Sequence, residues 1–151
     1  MKSASAALWT RRFHEVEVRN YADPMALGAA AAADLAAIIA QAVRERGLAS
    51  IIVATGNSQL RFMEALRERD DIPWKQVVVF HMDEYLGMSA DHPASFRKYI
   101  REKLTDIVHP LAFYGVEGDA PDIAAEIARY TALLQLYPAD ACVMGIGENG
   151  H

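Results

Sequence analysis

The chain has 151 residues, 52% of them hydrophobic and 23% charged, with 15 basic against 20 acidic side chains for a net charge of −5. That length fits one domain, the composition excludes a disordered chain, and the acidic balance excludes a broad electrostatic footprint for nucleic acid. The one cysteine, Cys142, excludes an internal disulfide framework and a cysteine-based zinc site.

Trp9-Thr10-Arg11-Arg12 interrupts the N-terminal stretch before a signal-peptide core forms. Met25 to Val43 is alanine-dominated and broken by Asp34 and Gln41, which argues against a membrane span. A soluble protein of a reducing, cytoplasmic compartment is expected, with no membrane and no nucleic-acid partner. Any anion must be held by a local set of donors, which points to a small ligand.

Phe13 to Val18 predicts a short edge strand. Asp23-Pro24 reads as an N-cap with proline at the first helical position. Leu27, Ala31, Leu35, Ile38 and Ala42 follow at helical spacing, and Gly47 closes the helix. Leu48 to Ala54 is a β-branched run suited to a buried strand, ending at Thr55-Gly56-Asn57-Ser58. A second helix fits Gln59 to Glu68, with Leu60, Met63, Ala65 and Leu66 available for packing. Gln76 to Phe80 is the next strand, running into His81-Met82-Asp83-Glu84-Tyr85.

Asp91-His92-Pro93 opens a helix with Phe96, Tyr99, Ile100 and Leu104 on one side and a solvated face of Arg97, Lys98, Arg101 and Glu102 on the other. Leu111 to Tyr114 predicts a strand. Pro121 to Tyr137 predicts a helix with Ile123, Ile127, Tyr130 and Leu134 in register. Asp140 to Ile146 predicts a last apolar strand, in which Cys142 is expected to be a buried thiol. The strand ends at Gly147-Glu148-Asn149-Gly150-His151. His14, His92 and His109 read as surface or capping residues.

Strands alternating with amphipathic helices predict a single α/β domain with a mostly parallel sheet and flanking helices. Ligands of such sheets sit beyond the carboxyl ends of the strands. The three turns at 55–58, 83–84 and 148–151 are therefore expected to meet at one edge.

Each turn has a chemistry and a plain structural alternative. Thr55-Gly56-Asn57-Ser58 offers close backbone approach, hydroxyl donors and a helix N-terminus, fitting a phosphate monoester. It matches neither the P-loop nor the dinucleotide fingerprint, and a serine-capped βα turn accounts for it equally well. Asp83 and Glu84 are adjacent carboxylates at a strand end, so only one is expected to enter the crevice. Near apolar Met82 and Tyr85 such a group can serve as a general base; an exposed acidic turn is the alternative. His81 and Asp83 share a strand face, but two ligands do not make a metal site. His151 is suited to shuttle protons near neutral pH, although it is the last residue.

Together, Val53-Ala54-Thr55-Gly56-Asn57-Ser58, Phe80-His81-Met82-Asp83-Glu84-Tyr85-Leu86-Gly87, His92-Pro93-Ala94-Ser95-Phe96 and Gly145-Ile146-Gly147-Glu148-Asn149-Gly150-His151 resemble the glucosamine-6-phosphate deaminase (isomerase) family, in order and in spacing. The resemblance implies a Rossmann-like fold and conversion of glucosamine 6-phosphate to fructose 6-phosphate and ammonia, with no redox cofactor, no metal and a homo-oligomeric assembly. It implies that Thr55, Gly56, Asn57 and Ser58 surround the sugar phosphate. Asp83 would move the proton between C2 and C1, and His151 would assist ring opening. Glu84 is grouped with the substrate-binding residues, with orientation of the turn as its other role.

Asn149 stands where the family pattern often has an acidic residue, so it can fix an imidazole but not stabilise its cation by charge. The family's following segment, with a further carboxylate and basic residues for phosphate, is not in this sequence. The chain is therefore expected to be an N-terminal portion of a longer protein, with a C-terminally incomplete domain and weak or no activity alone. The nearest alternative is a 6-phosphogluconolactonase, which tends to carry arginine at the position of Tyr85. Two further alternatives are a non-catalytic sugar-phosphate-sensing domain and an α/β protein acting on another amino sugar.

Overall fold

A computed structural model describes residues 6–151. The first helix, α1 (Pro24–Arg46), begins and ends where its punctuation predicts. The Asp23 carboxylate accepts the Ala26 N–H at 2.8 Å, and Gly47 closes the helix in the left-handed region at φ 76°. Its buried stripe differs from the predicted one. Leu27 and Ile38 are exposed, whereas Gly28, Ala32, Leu35, Ile39 and Ala42 face inward. Small residues occupy the contact because α1 lies tightly against α2 (Leu60–Arg67). A Cβ on Gly28 would stand 2.7 Å from the Arg61 carbonyl carbon. By length and composition α1 is apolar enough to cross a membrane, yet this face packs on α2 and on β3 (Ala49–Val53) as in a core helix.

Four parallel strands form the main sheet: β3, β4 (Val77–His81), β5 (Ala112–Tyr114) and β6 (Ala141–Val143), in the order β5-β4-β3-β6. The central pair is covered on both faces, which is why both strands read as nearly unbroken β-branched runs. Leu35, Ile39, Phe62, Met63, Leu66, Ile100 and Leu104 complete the core. The outer strands are less covered. Cys142, expected to be buried, is exposed, because β6 pairs on one side only with β3 among the described residues.

Other predicted elements need correction. The N-terminal strand is an antiparallel hairpin, β1 (Trp9–Phe13) with β2 (Val16–Asn20), forming a separate sheet. Its turn places His14 at φ 52°, without the Asn-Gly or Asp-Gly signal that marks such turns. The helix predicted from Asp91 starts later, as α3 (Phe96–Ile100), because Ser95 rather than Asp91 caps it; its hydroxyl accepts the Lys98 N–H. A π-helical stretch over Arg101–Thr105 and a final turn, α4 (Asp106–Val108), extend it. Helix α5 (Ile123–Leu136) turns Ile123 and Ile127 of the predicted face outward and buries Glu126, while Tyr130 and Leu134 of that face are half-buried, Tyr130 against Phe80. Glu126 accepts the Glu117 N–H and pairs with Arg129, so a satisfied carboxylate takes the inner position.

Candidate functional site

The sheet register sets the site. Val53 of β3 pairs with His81 of β4 and with Val143 of β6, so the three strands end in one rank. Counting on by equal steps, Thr55, Asp83 and Gly145 are the second residues past that rank, and the three turns leave the same end of the sheet side by side. Strands β3, β4 and β5 succeed one another in one direction, and β6 then pairs on the far side of β3. The order thus reverses between β3 and β6, where open α/β sheets place their ligand crevice.

The turn after β3 is built for close backbone approach. Thr55 is half-buried, and Gly56, Asn57 and Ser58 are exposed. Gly56 sits at φ 104°, ψ 171°, a conformation open essentially to glycine alone. Its carbonyl accepts the Gln59 N–H at 3.1 Å and the Tyr99 hydroxyl at 2.8 Å. The buried Gln59 amide donates to the Ser58 hydroxyl at 3.1 Å. Here the turn after β6 touches the turn after β3: a Cβ on Gly145 would lie 2.9 Å from the Ser58 Oγ.

The turn after β6 folds on itself. The Gly147 N–H donates to the His151 carbonyl at 2.5 Å, and the Gly150 N–H to the Gly147 carbonyl at 3.0 Å. The Asn149 side-chain oxygen accepts the His151 backbone N–H at 3.3 Å, so this amide holds the turn's main chain and not the imidazole. Asn149 and His151 are exposed.

The turn after β4 divides its residues between rim and interior. Asp83 is exposed, as are Met82 and Tyr85, so the carboxylate stands open and not in an apolar enclosure. His81 is fully buried. The strand ends at His81, so the shared face expected for His81 and Asp83 does not extend past it. No group of three or more His, Cys, Asp or Glu is placed to hold a metal among the described residues. The His81 Nε2 accepts the Val116 N–H at 2.8 Å, while Nδ1 is buried without a partner. Burial pushes this imidazole down to about 4, with Glu84 raising it and Arg97 lowering it.

Glu84 turns inward. Its carboxylate accepts the Ser95 hydroxyl at 2.7 Å, the N–H groups of Phe96 and Arg97 at 3.1 Å each, and the Arg97 Nε at 3.3 Å. The side chain has no exposed surface. Burial alone would raise its pKa; the bonds from Ser95, Arg97, Phe96 and Tyr85 outweigh that and hold it at about 2. Both oxygens are engaged within the protein, so of the two roles set out for Glu84 the geometry carries the orienting one.

Arg97, expected on a solvated face, is buried and also reaches the Met88 carbonyl and Asp119, each at 2.7 Å. Its signal was present in the sequence: Arg97, Ile100 and Leu104 share one helical face.

These two groups fix an acid response. An imidazole held below its ordinary 6.5 binds its proton more readily in the unfolded chain. Its contribution is therefore complete above pH 6.5 and lost as pH falls to about 4, a gap worth roughly 3 kcal/mol. The Glu84 contribution is present above the ordinary carboxylate value and lost as pH falls toward about 2. Urea denaturation midpoints should fall steadily from pH 7 to 4, and His81→Asn should flatten that fall while leaving the loss below pH 4.5. A midpoint independent of pH between 6.5 and 4 would contradict this.

Shallow concavities of about 210 and 190 Å³ lie at the opposite end of the sheet, around Arg46, Ser50 and Asp140 ahead of β3 and β6. The Arg46–Asp140 ion pair, with Asp140 also accepting the Ser50 N–H at 2.8 Å, lines both. No chemistry converges there.

Comparison with known proteins agrees with this fold. Glucosamine-6-phosphate deaminases from Exiguobacterium sp. (strain ATCC BAA-1283 / AT1b) and Streptococcus sanguinis are 35% identical over 99 residues and 34% over 106. The matches cover 66% and 70% of this chain but 39% and 45% of those proteins, so the chain spans less than half the length of these curated relatives. A 6-phosphogluconolactonase from Shewanella baltica superposes with TM-score 0.76 at 29% identity, over 87% of this chain and 57% of its own. A monomeric glucosamine-6-phosphate deaminase superposes with TM-score 0.74 at 27% identity, over 85% and 54%. The model of the glucosamine-6-phosphate isomerases/6-phosphogluconolactonase family matches residues 22–151, and with its Rossmann-like parallel sheet the chain belongs to that family.

Proposed function

We propose that the rim formed by the turns after β3, β4 and β6 is the sugar-phosphate site of a cytoplasmic deaminating isomerase that converts glucosamine 6-phosphate to fructose 6-phosphate and ammonia. The observation that carries this reading is the common rank of Val53, His81 and Val143, which sets three chemically distinct turns next to one another. Thr55, Gly56, Asn57 and Ser58 hold the phosphate through hydroxyls and main-chain N–H groups. His151, on the turn braced by Asn149, assists opening of the sugar ring. Asp83 then takes the C2 proton of the open chain and returns it to C1 through an enol-type intermediate; water adds to the resulting C2 imine, and ammonia leaves as the C2 carbonyl forms. The proton moves within the sugar, so no redox cofactor is called for. The open position of Asp83 suits a base that must meet substrate directly, while Glu84 fixes the turn from below.

The lactonase reading keeps the same phosphate loop and rests on the Shewanella baltica neighbour. The Met82-Asp83-Glu84-Tyr85 sequence favours the deaminase. The experiment is a paired assay on the full-length protein: ammonia release from glucosamine 6-phosphate against hydrolysis of 6-phosphogluconolactone. Ammonia release with no lactone hydrolysis supports the proposal, and the converse replaces it. Assembly as a homo-oligomer belongs to the same proposal, although one structural neighbour is described as monomeric.

A further inference from the structure

The loop assigned to phosphate has a brace outside it. Gly56 and Asn57 share one peptide group, and the described chain has no cis peptide bond. In a trans peptide the carbonyl and the N–H point in opposite directions. Whatever fixes the Gly56 carbonyl therefore also fixes the Asn57 N–H, which opens the short 3₁₀ turn Asn57–Gln59 and has no acceptor within it. Two donors hold that carbonyl: the Gln59 N–H from inside the turn and the Tyr99 hydroxyl from α3, 43 residues away in sequence.

Helix α3 is itself anchored to the turn carrying Asp83. The Glu84 carboxylate receives the Ser95 hydroxyl and the N–H groups of Phe96 and Arg97, which fixes the start of the helix. The Tyr99 N–H donates to the Ser95 carbonyl at 3.0 Å, so Tyr99 lies one turn above that anchor. The helix thus ties the base's turn at one end to the phosphate loop through a single phenol.

We propose that Tyr99 is a positioning residue, aiming the Asn57 N–H at the bound phosphate and keeping the phosphate loop in register with Asp83. This rests on the sugar-phosphate reading above. It adds a residue that touches neither substrate nor reacting atoms.

The test is Tyr99→Phe in the full-length protein, with Ser58→Ala alongside it. Binding of inorganic phosphate is measured by calorimetry, and KM and kcat for glucosamine 6-phosphate by ammonia release. Losing one neutral hydrogen bond that orients a donor should weaken phosphate binding and raise KM by roughly three- to tenfold, with kcat within about twofold. A lowered melting temperature with wild-type phosphate binding and KM would make Tyr99 merely structural and overturn the proposal. If Ser58→Ala weakens phosphate binding and Tyr99→Phe does not, the sugar-phosphate reading stands and the Tyr99 role falls. If the unaltered protein binds neither inorganic phosphate nor glucosamine 6-phosphate, both fall together.

Discussion

Glu84→Ala should lower the unfolding free energy by about 3–5 kcal/mol, the range seen when one partner of a buried ion pair is removed. The side chain has no exposed surface, and four hydrogen bonds from Ser95, Phe96 and Arg97 end on it. Alanine leaves the Ser95 hydroxyl and two helix-start N–H groups without their acceptor. Arg97 keeps Asp119 and the Met88 carbonyl but loses the buried half of its pairing. Glu84→Gln keeps the shape and one acceptor oxygen, so its loss should be smaller, about 1–3 kcal/mol. Urea denaturation at pH 7 measures both. A Glu84→Ala variant within about 0.5 kcal/mol of the parent, the range of ordinary surface substitutions, would show that this carboxylate does not anchor α3.

The second large effect falls on the neighbouring carboxylate and is of the opposite kind. Asp83→Asn should reduce turnover by roughly 10²- to 10⁴-fold, the usual contribution of a positioned general base. Stability should stay unchanged, because Asp83 is exposed. Sugar-phosphate binding should persist, since the proposed phosphate contacts lie on the turn after β3. Exchange of the C2 proton with solvent deuterium, followed in the full-length protein, isolates the step. Exchange at the parental rate in Asp83→Asn would reject Asp83 as the base. Two adjacent acids thus separate cleanly, one read by denaturation and the other by isotope exchange.

The contrast explains what the sequence disclosed and what it withheld. The parallel sheet was legible because β3 and β4 are β-branched runs punctuated by polar turns, and α1 because Asp23-Pro24 and Gly47 are local signals. The N-terminal hairpin was not legible, since its turn at His14 lacks the residues that announce one. The contact face of α1 was misread because close packing on α2 selects Gly28 and Ala32 over the bulkier Leu27 and Ile38, and that selection comes from the partner helix.

The same limit applies to the site. Thr55 to Ser58, Asp83 and the 145–151 turn could be picked out as strand-end residues, and the register brings their strand ends into one rank. The partners that hold Glu84, Arg97 and Tyr99 lie 9 to 43 residues away in the chain, which periodicity does not carry, although the helical face that Arg97 shares with Ile100 and Leu104 does mark it as inward. Arg97 is the instructive case. A cation on a helix is ordinarily solvated, and here two carboxylates and a carbonyl outweigh that tendency.

The central claim is that one ligand meets all three turns. Amide hydrogen exchange on the full-length protein, with and without saturating glucosamine 6-phosphate, tests it most directly. Slower exchange should appear together in peptides covering 55–59, 82–86 and 145–151, with no change around Arg46 and Asp140. Protection confined to one of the three turns, or appearing at the Arg46–Asp140 end of the sheet, would contradict it.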